Sequence, residues 1–131
     1  MADNVQTLKD GYDAFGRGDL DGVFANWADD IKWEGGNSEL PAGGDYQGRE
    51  EITGAFGELG EAWDDLKVTP DEYIADGDTV AVLGHINGAP KGGGDSIESP
   101  FVHIYRFEDG KVARLQILTD TLTGARALGK V

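Results

Sequence analysis

The chain has 131 residues, no cysteine, and 25 acidic against 11 basic residues, for a formal net charge of −14. Without cysteine there are no disulfides, thiolate nucleophiles or cysteine metal sites, and so acidic a chain has no cationic stripe to release counterions from nucleic acid. The length suits a single domain spanning 1–131, and the acidic residues, spread along the chain beside ample apolar ones, describe a heavily solvated surface that would suit a high-salt cytoplasm.

The first ten residues, MADNVQTLKD, are polar and lack the apolar core of a signal peptide, and no run approaches the roughly 20 apolar residues that span a bilayer. A cytoplasmic protein without a membrane partner is expected. Val5, Leu8, Tyr12 and Phe15 recur at helical spacing, with Asp3 or Asn4 as cap and Gly16 and Gly18 as stop. A second helix is expected from Asp19, with Leu20, Val23, Phe24 and Trp27 on one side, until Asp29 and Asp30 break the pattern. Ile31 and Trp33 alternate with Lys32 and Glu34 as a short strand, and Gly35 to Gly48 reads as a mobile loop. Ile52, Phe56, Leu59 and Trp63 mark a third helix, weakened by Gly54, Gly57 and Gly60.

From Leu66 the period changes to two. Leu66–Ala75, Thr79–Ile86, Ser96–Phe107 and Lys111–Thr119 read as an antiparallel meander, turned at Asp76-Gly77-Asp78 and Glu108-Asp109-Gly110. Asn87 to Asp95 is a longer connection, Pro70 belongs on an edge or bulge, and Leu122 to Leu128 reads as a short terminal helix. Helices first and sheet second predict an α+β fold.

Three segments, YDAFGRGDLDGVFANWADDIKW, YQGREEITGAF and FVHIYRFEDGKVARLQILTD, together resemble the nuclear transport factor 2 fold family, especially its SnoaL-like branch. The resemblance covers nearly the whole chain. It implies a cone-shaped, strongly curved antiparallel sheet with N-terminal helices packed on its concave side, an open end that admits a small apolar molecule, and homodimers formed through the outer sheet face. Ketosteroid isomerases of this superfamily carry a base aspartate just after the first strand, where this chain has Glu34-Gly35-Gly36. Their oxyanion-stabilising acid falls at His103, and their helix phenol matches Tyr12 with a one-residue shift. SnoaL-like cyclases resemble the chain better, and that likeness implies His103 and Asp120 as the pocket histidine and the acid/base aspartate.

The residues support those candidates and leave alternatives. Alternation puts His103 on one strand face with Phe101, Tyr105 and Phe107, where desolvation would depress its pKa, or Asp120 nearby would raise it; the alternative is a hydrogen-bonded core histidine. Asp120 ends an apolar strand and is expected across the hairpin from His103, taking a proton α to a carbonyl while His103 stabilises the enolate oxygen; alternatively it caps the terminal helix. Trp27, Trp33, Tyr46, Phe56 and Trp63 are candidates to line a pocket or simply to pack, Trp33 foremost because its strand leads into the glycine loop. With Tyr12, Phe101 and Tyr105, the aromatics Trp27, Trp33 and Phe56 form the expected substrate-binding set. Glu34 reads as solvated and His85 has no assigned role. No nucleotide-binding, nucleophile-elbow or zinc motif occurs, so neither metal nor cofactor is expected.

Three functional readings follow. One is a cofactor-independent isomerase or cyclase acting on a small apolar carbonyl compound. Another is a non-catalytic ligand-binding or dimerisation module. A third, an assembly partner without a ligand, would show an apolar patch on the outer sheet face formed by residues such as Val102, Ile104 and Leu115.

Overall fold

The structure, a computed structural model, describes residues 3–130; Met1 and Ala2 of the polar N-terminus, and Val131, lie outside the described residues. Helix α1 (Asn4–Gly16) starts where the Asp3 carboxylate accepts from the Val5 amide at 3.0 Å, and its stripe of Val5, Leu8, Tyr12 and Phe15 packs on the core. Gly18, with φ 72°, makes the left-handed turn that a side chain would resist. Asp19 then caps α2 (Leu20–Phe24) by accepting from the Gly22 amide at 3.0 Å.

The second helix ends at Phe24, short of the expected Trp27, which instead opens strand β1 (Trp27–Glu34). The cause is a non-local partner: Trp27 pairs in parallel with Val112 of β6 (Lys111–Thr119), whose amide donates to the Asn26 carbonyl at 2.9 Å. The pairing slips between Trp27 and Lys32, and the bulge turns Asp29 and Asp30 to solvent while Trp27, Ile31 and Trp33 stay buried. The expected loop also contains a short strand, β2 (Asp45–Gln47), paired antiparallel with β1.

Helix α3 (Arg49–Ala62) buries Ile52 and Ala55. Its three interior glycines lie away from the core, with no atom within 4 Å of the position a Cβ would take. The long strands β3 (Trp63–Asp76), β4 (Thr79–Pro90), β5 (Ile97–Glu108) and β6 form the expected meander, except that Trp63, expected on the third helix, opens β3 and that β4 runs on through Asn87–Pro90, expected as connection; α4 (Thr121–Ala127) follows. The sheet order is β2-β1-β6-β5-β4-β3, antiparallel except between β1 and β6. It is a six-stranded curved sheet, not closed into a barrel, with the N-terminal helices on its concave face. Pro70 sits on the edge strand β3 at a slip in its pairing with β4, where a missing amide costs no ladder bond.

On β5 the inward set is Ser99, Phe101, His103, Tyr105 and Phe107, all buried except the half-buried His103. Phe101 lies close against β4 because Gly84 is opposite: a Cβ there would stand 2.6 Å from the phenyl ring and 2.1 Å from the Thr69 carbonyl. Leu115 departs from the expected outer patch. It pairs with Tyr105 and is 2% exposed, because a slip between Arg106 and Phe107 puts both Val112 and Leu115 on the inner face. The outer face carries Val102 and Ile104, half-buried, and Ile74 and Leu118, which are 52% and 57% exposed.

Candidate functional site

Helix α1 lays Tyr12 across the inner face of β5. Its hydroxyl stands 2.7 Å from His103 Nδ1, and the buried Tyr105 hydroxyl donates to the Tyr12 oxygen at 2.8 Å. With the Tyr105 proton spent on Tyr12, the arrangement that also pairs the Tyr12 proton sends it to Nδ1 and leaves the proton of the neutral ring on Nε2. The reverse direction would leave the Tyr105 proton buried without an acceptor, which costs about 1–3 kcal/mol. Burial pushes the His103 pKa down to about 3, and both phenols well above their usual range. The trio is therefore neutral at physiological pH, a set of oriented dipoles rather than charges. Phe101 backs it, its ring stacked on the imidazole with centroids 4.0 Å apart.

His103 Nε2 has no hydrogen-bond partner among the described residues, and His103 borders a cavity of about 210 Å³. That exceeds the ~150 Å³ of an engineered apolar cavity that admits benzene. Tyr12, Trp27, Trp33, Phe56 and Tyr105 of the expected set line it, whereas Phe101 stands behind His103, outside the wall. Tyr46 is also outside, its hydroxyl 3.3 Å from Glu58. Trp33 Nε1 donates to the Ala42 carbonyl at 3.1 Å, tying the glycine loop over the cavity so that Leu40 and Pro41 join the wall. Among the described residues no Lys or Arg lines the cavity, and its ionised groups are the exposed Asp10 and Asp120.

Asp120 is not opposite His103. The residue paired with His103 is Ile117, and pairing ends at Phe101 with Thr119. Asp120 follows, as the cap of α4: its carboxylate accepts from the Thr123 amide at 3.1 Å and from the Thr123 hydroxyl at 2.6 Å. These bonds hold its pKa below the usual carboxylate range. It borders the cavity while exposed to solvent, an anion at the cavity mouth.

Glu34 lies outside the site, on the outer sheet face, where Arg114 Nε donates to it at 2.6 Å and Gln116 at 3.3 Å. His85 pairs with Asp71 at 2.8 Å, which raises its pKa. No group of three or more His, Asp or Glu side chains among the described residues is placed to hold a metal, and no helix is long and apolar enough to cross a membrane. Sequence reasoning missed the loop residues Leu40 and Pro41, the rim residue Asp10, the wall residue Ser99 and the tyrosine relay. Tyr105 and Ser99 left a trace, since alternation puts both on the face of His103; the others left none.

Comparisons with known proteins follow the same architecture. No curated protein matches the chain significantly. An NTF2-like protein of unknown function from Burkholderia pseudomallei is 32% identical, with 98% of each chain covered and a TM-score of 0.91. An NTF2-like protein from Burkholderia thailandensis is 33% identical over 97% of this chain and 98% of that one, with a TM-score of 0.89. TerC, crystallised with polyporic acid, shares the fold at 23% identity, 96% and 98% coverage, and a TM-score of 0.89. The SnoaL-like domain profile matches residues 8–115. As that match begins on the helix that carries Tyr12 and runs through the strand of His103, the chain belongs to the SnoaL-like domain family.

Proposed function

We propose that the chain is a cofactor-independent SnoaL-like enzyme of the isomerase or cyclase type, working on a small, uncharged, largely apolar carbonyl compound. The observation that carries this reading is the Tyr105–Tyr12–His103 chain, which leaves His103 Nε2 without a hydrogen-bond partner among the described residues on a residue that lines an apolar cavity. The substrate's carbonyl oxygen accepts from Nε2. The Asp120 carboxylate takes the α-proton, and the C–H pair becomes an enolate whose oxygen charge is met by the imidazole dipole, itself polarised by the two phenols. Return of the proton from Asp120 to another carbon completes an isomerisation; attack of the enolate carbon on a second carbonyl, with the Asp120 proton returned to the alkoxide so formed, completes a cyclisation. A neutral imidazole suits the role because a preformed donor in a dry site stabilises charge without reorganising. The absence of Lys and Arg from the wall among the described residues supports an uncharged substrate.

A second reading, a non-catalytic binding module of the same fold, is favoured by one observation: Asp120 is engaged as a helix cap away from His103. In both readings the chain works as a homodimer through the outer face, which the exposed Ile74 and Leu118 support.

The test is α-proton exchange of an enolisable aryl ketone in D2O, followed by NMR. Catalysed exchange that falls by at least tenfold in both His103→Phe and Asp120→Asn supports the enzyme. Exchange at the buffer rate, with polyporic acid or the ketone still raising Tm, selects the binding module instead.

A further inference from the structure

We propose that Ser99 is a second polar anchor of the cavity, donating its hydroxyl to an oxygen at the end of the ligand remote from the one received by His103. This rests on the binding reading above and extends it to the shape of the ligand. Ser99 is 2% exposed, and its Oγ has no hydrogen-bond partner among the described residues. Buried hydroxyls are rarely left so, because each unmet one costs about 1–3 kcal/mol. Its strand explains the placement without explaining the hydroxyl: Ser99 shares the inner face of β5 with Phe101 and His103 and borders the cavity.

The wall around Ser99 is mostly apolar, the Trp63 indole N–H being its other polar side-chain group. Around Ser99 the wall is built from Trp63, Leu66, Ile86 and Ile97, and Gly88 lets the Trp63 ring lie against β4, 3.2 Å from where a Cβ would be. An alanine would pack there equally well and cost nothing in desolvation. Ser99 needs only a turn about one torsion to aim its proton into the cavity. His103 lies four residue steps along the strand from it, about 13 Å along the sheet, and the inward residue between them, Phe101, is held back against Gly84. The two donors thus stand at the ends of one apolar wall. The ligand class they fit is a rigid apolar body bearing an oxygen acceptor at each end, such as a diketone, a hydroxyketone or a diphenol.

The experiment uses two probes with one skeleton, biphenyl-4,4′-diol and 4-phenylphenol, titrated against the tryptophan fluorescence of the full chain. Wild type is expected to bind the diol at least fivefold more tightly. Ser99→Ala should remove that preference by weakening the diol alone, while His103→Phe weakens both probes. Ser99→Ala should also leave the unliganded Tm unchanged or raised, since no partner is lost. Equal binding of the two probes by wild type, equal weakening of both by Ser99→Ala, or a fall in unliganded Tm would overturn the Ser99 assignment and leave the cavity reading standing. Failure of wild type to bind either probe would overturn the cavity reading and the assignment together.

Discussion

Tyr12 and His103, 91 residues apart in sequence, meet at 2.7 Å, and this contact joins the first helix to the chemistry of the fifth strand. It explains a tyrosine on an otherwise aliphatic and phenyl stripe. A phenylalanine at 12 would pack as well but would orphan both its partners, the Nδ1 lone pair of His103 and the proton of Tyr105.

The first prediction follows from that loss. Tyr12→Phe should cost about 1–3 kcal/mol of stability, because two buried polar groups lose their partner. In a double-mutant cycle, Tyr105→Phe should cost less in the Tyr12→Phe background than in wild type. Urea unfolding of the four proteins measures both. Additive losses would show that the hydroxyls do not act as a chain.

A second prediction concerns pH. His103 titrates at about 3 in the folded chain against an ordinary 6.5, so between those values the unfolded state binds the extra proton. Stability should fall as pH drops from about 6.5 towards 3, by at most about 1.4 kcal/mol per pH unit. His85 acts oppositely: its raised pKa, caused by Asp71, adds stability at low pH that is lost as pH rises through the folded value. His103→Asn should therefore flatten the decline between pH 6.5 and 5, where carboxylates contribute little. In the wild type, the 15N shifts of the His103 ring should report an Nε2–H tautomer unchanged to pH 4.5. Titration of that ring near 6.5 would contradict the dry site.

Much of this architecture was legible from local periodicity. Strand β6 spans the residues that its alternation marks, and α1 begins at its cap, because these signals depend on neighbours in sequence. The errors cluster where a distant segment decides. Trp27 reads as helix until β6 offers it a parallel partner, β2 is too short to show alternation, and Leu115 changes face through a bulge that alternation does not foresee. The site divides the same way. The face of His103 follows from its aromatic neighbours, but the distance between Asp120 and His103 depends on register, and the relay depends on how α1 packs across the sheet.

A third prediction uses the glycines. Alanine at 54, 57 and 60 would meet no atom within 4 Å, so each substitution should add about 0.5–1 kcal/mol by stiffening the unfolded chain and improving helix propensity. The triple variant should unfold at higher urea with unchanged ligand affinity. Gly84→Ala should do the reverse, since its Cβ would collide with the Thr69 carbonyl and the Phe101 ring. If all four behaved alike, the packing of Phe101 against β4 would be wrong.

A fourth prediction separates the two roles of Asp120. Asparagine caps a helix about as well as aspartate, so Asp120→Asn should hold Tm near wild type while removing the anion at the cavity mouth. Asp120→Ala removes both and should lower Tm. Proton exchange lost in both variants with Tm lost only in alanine identifies chemistry at the carboxylate. Exchange that tracks Tm across the pair marks a cap alone.

The last prediction concerns assembly. On the outer face Val102 pairs with Leu118, and Ile74 lies further across the sheet, with Leu118 57% exposed and Ile74 52% exposed. Around these apolar residues lie the Glu34–Arg114 and Asp71–His85 pairs. Such a patch on a chain of net charge −14 gains by pairing with a second copy, yet each copy repels the other through its charge. Association should therefore strengthen with salt, as screening at 0.5 M removes repulsion beyond a few ångströms while burial of apolar area persists. Sedimentation at 0.05 and 0.5 M salt should show a dimer favoured at the higher concentration, and Leu118→Lys should shift the equilibrium to monomer at both. A monomer at every salt concentration would leave the apolar residues as isolated surface side chains and remove the homodimer from the proposal, without touching the cavity on the opposite face.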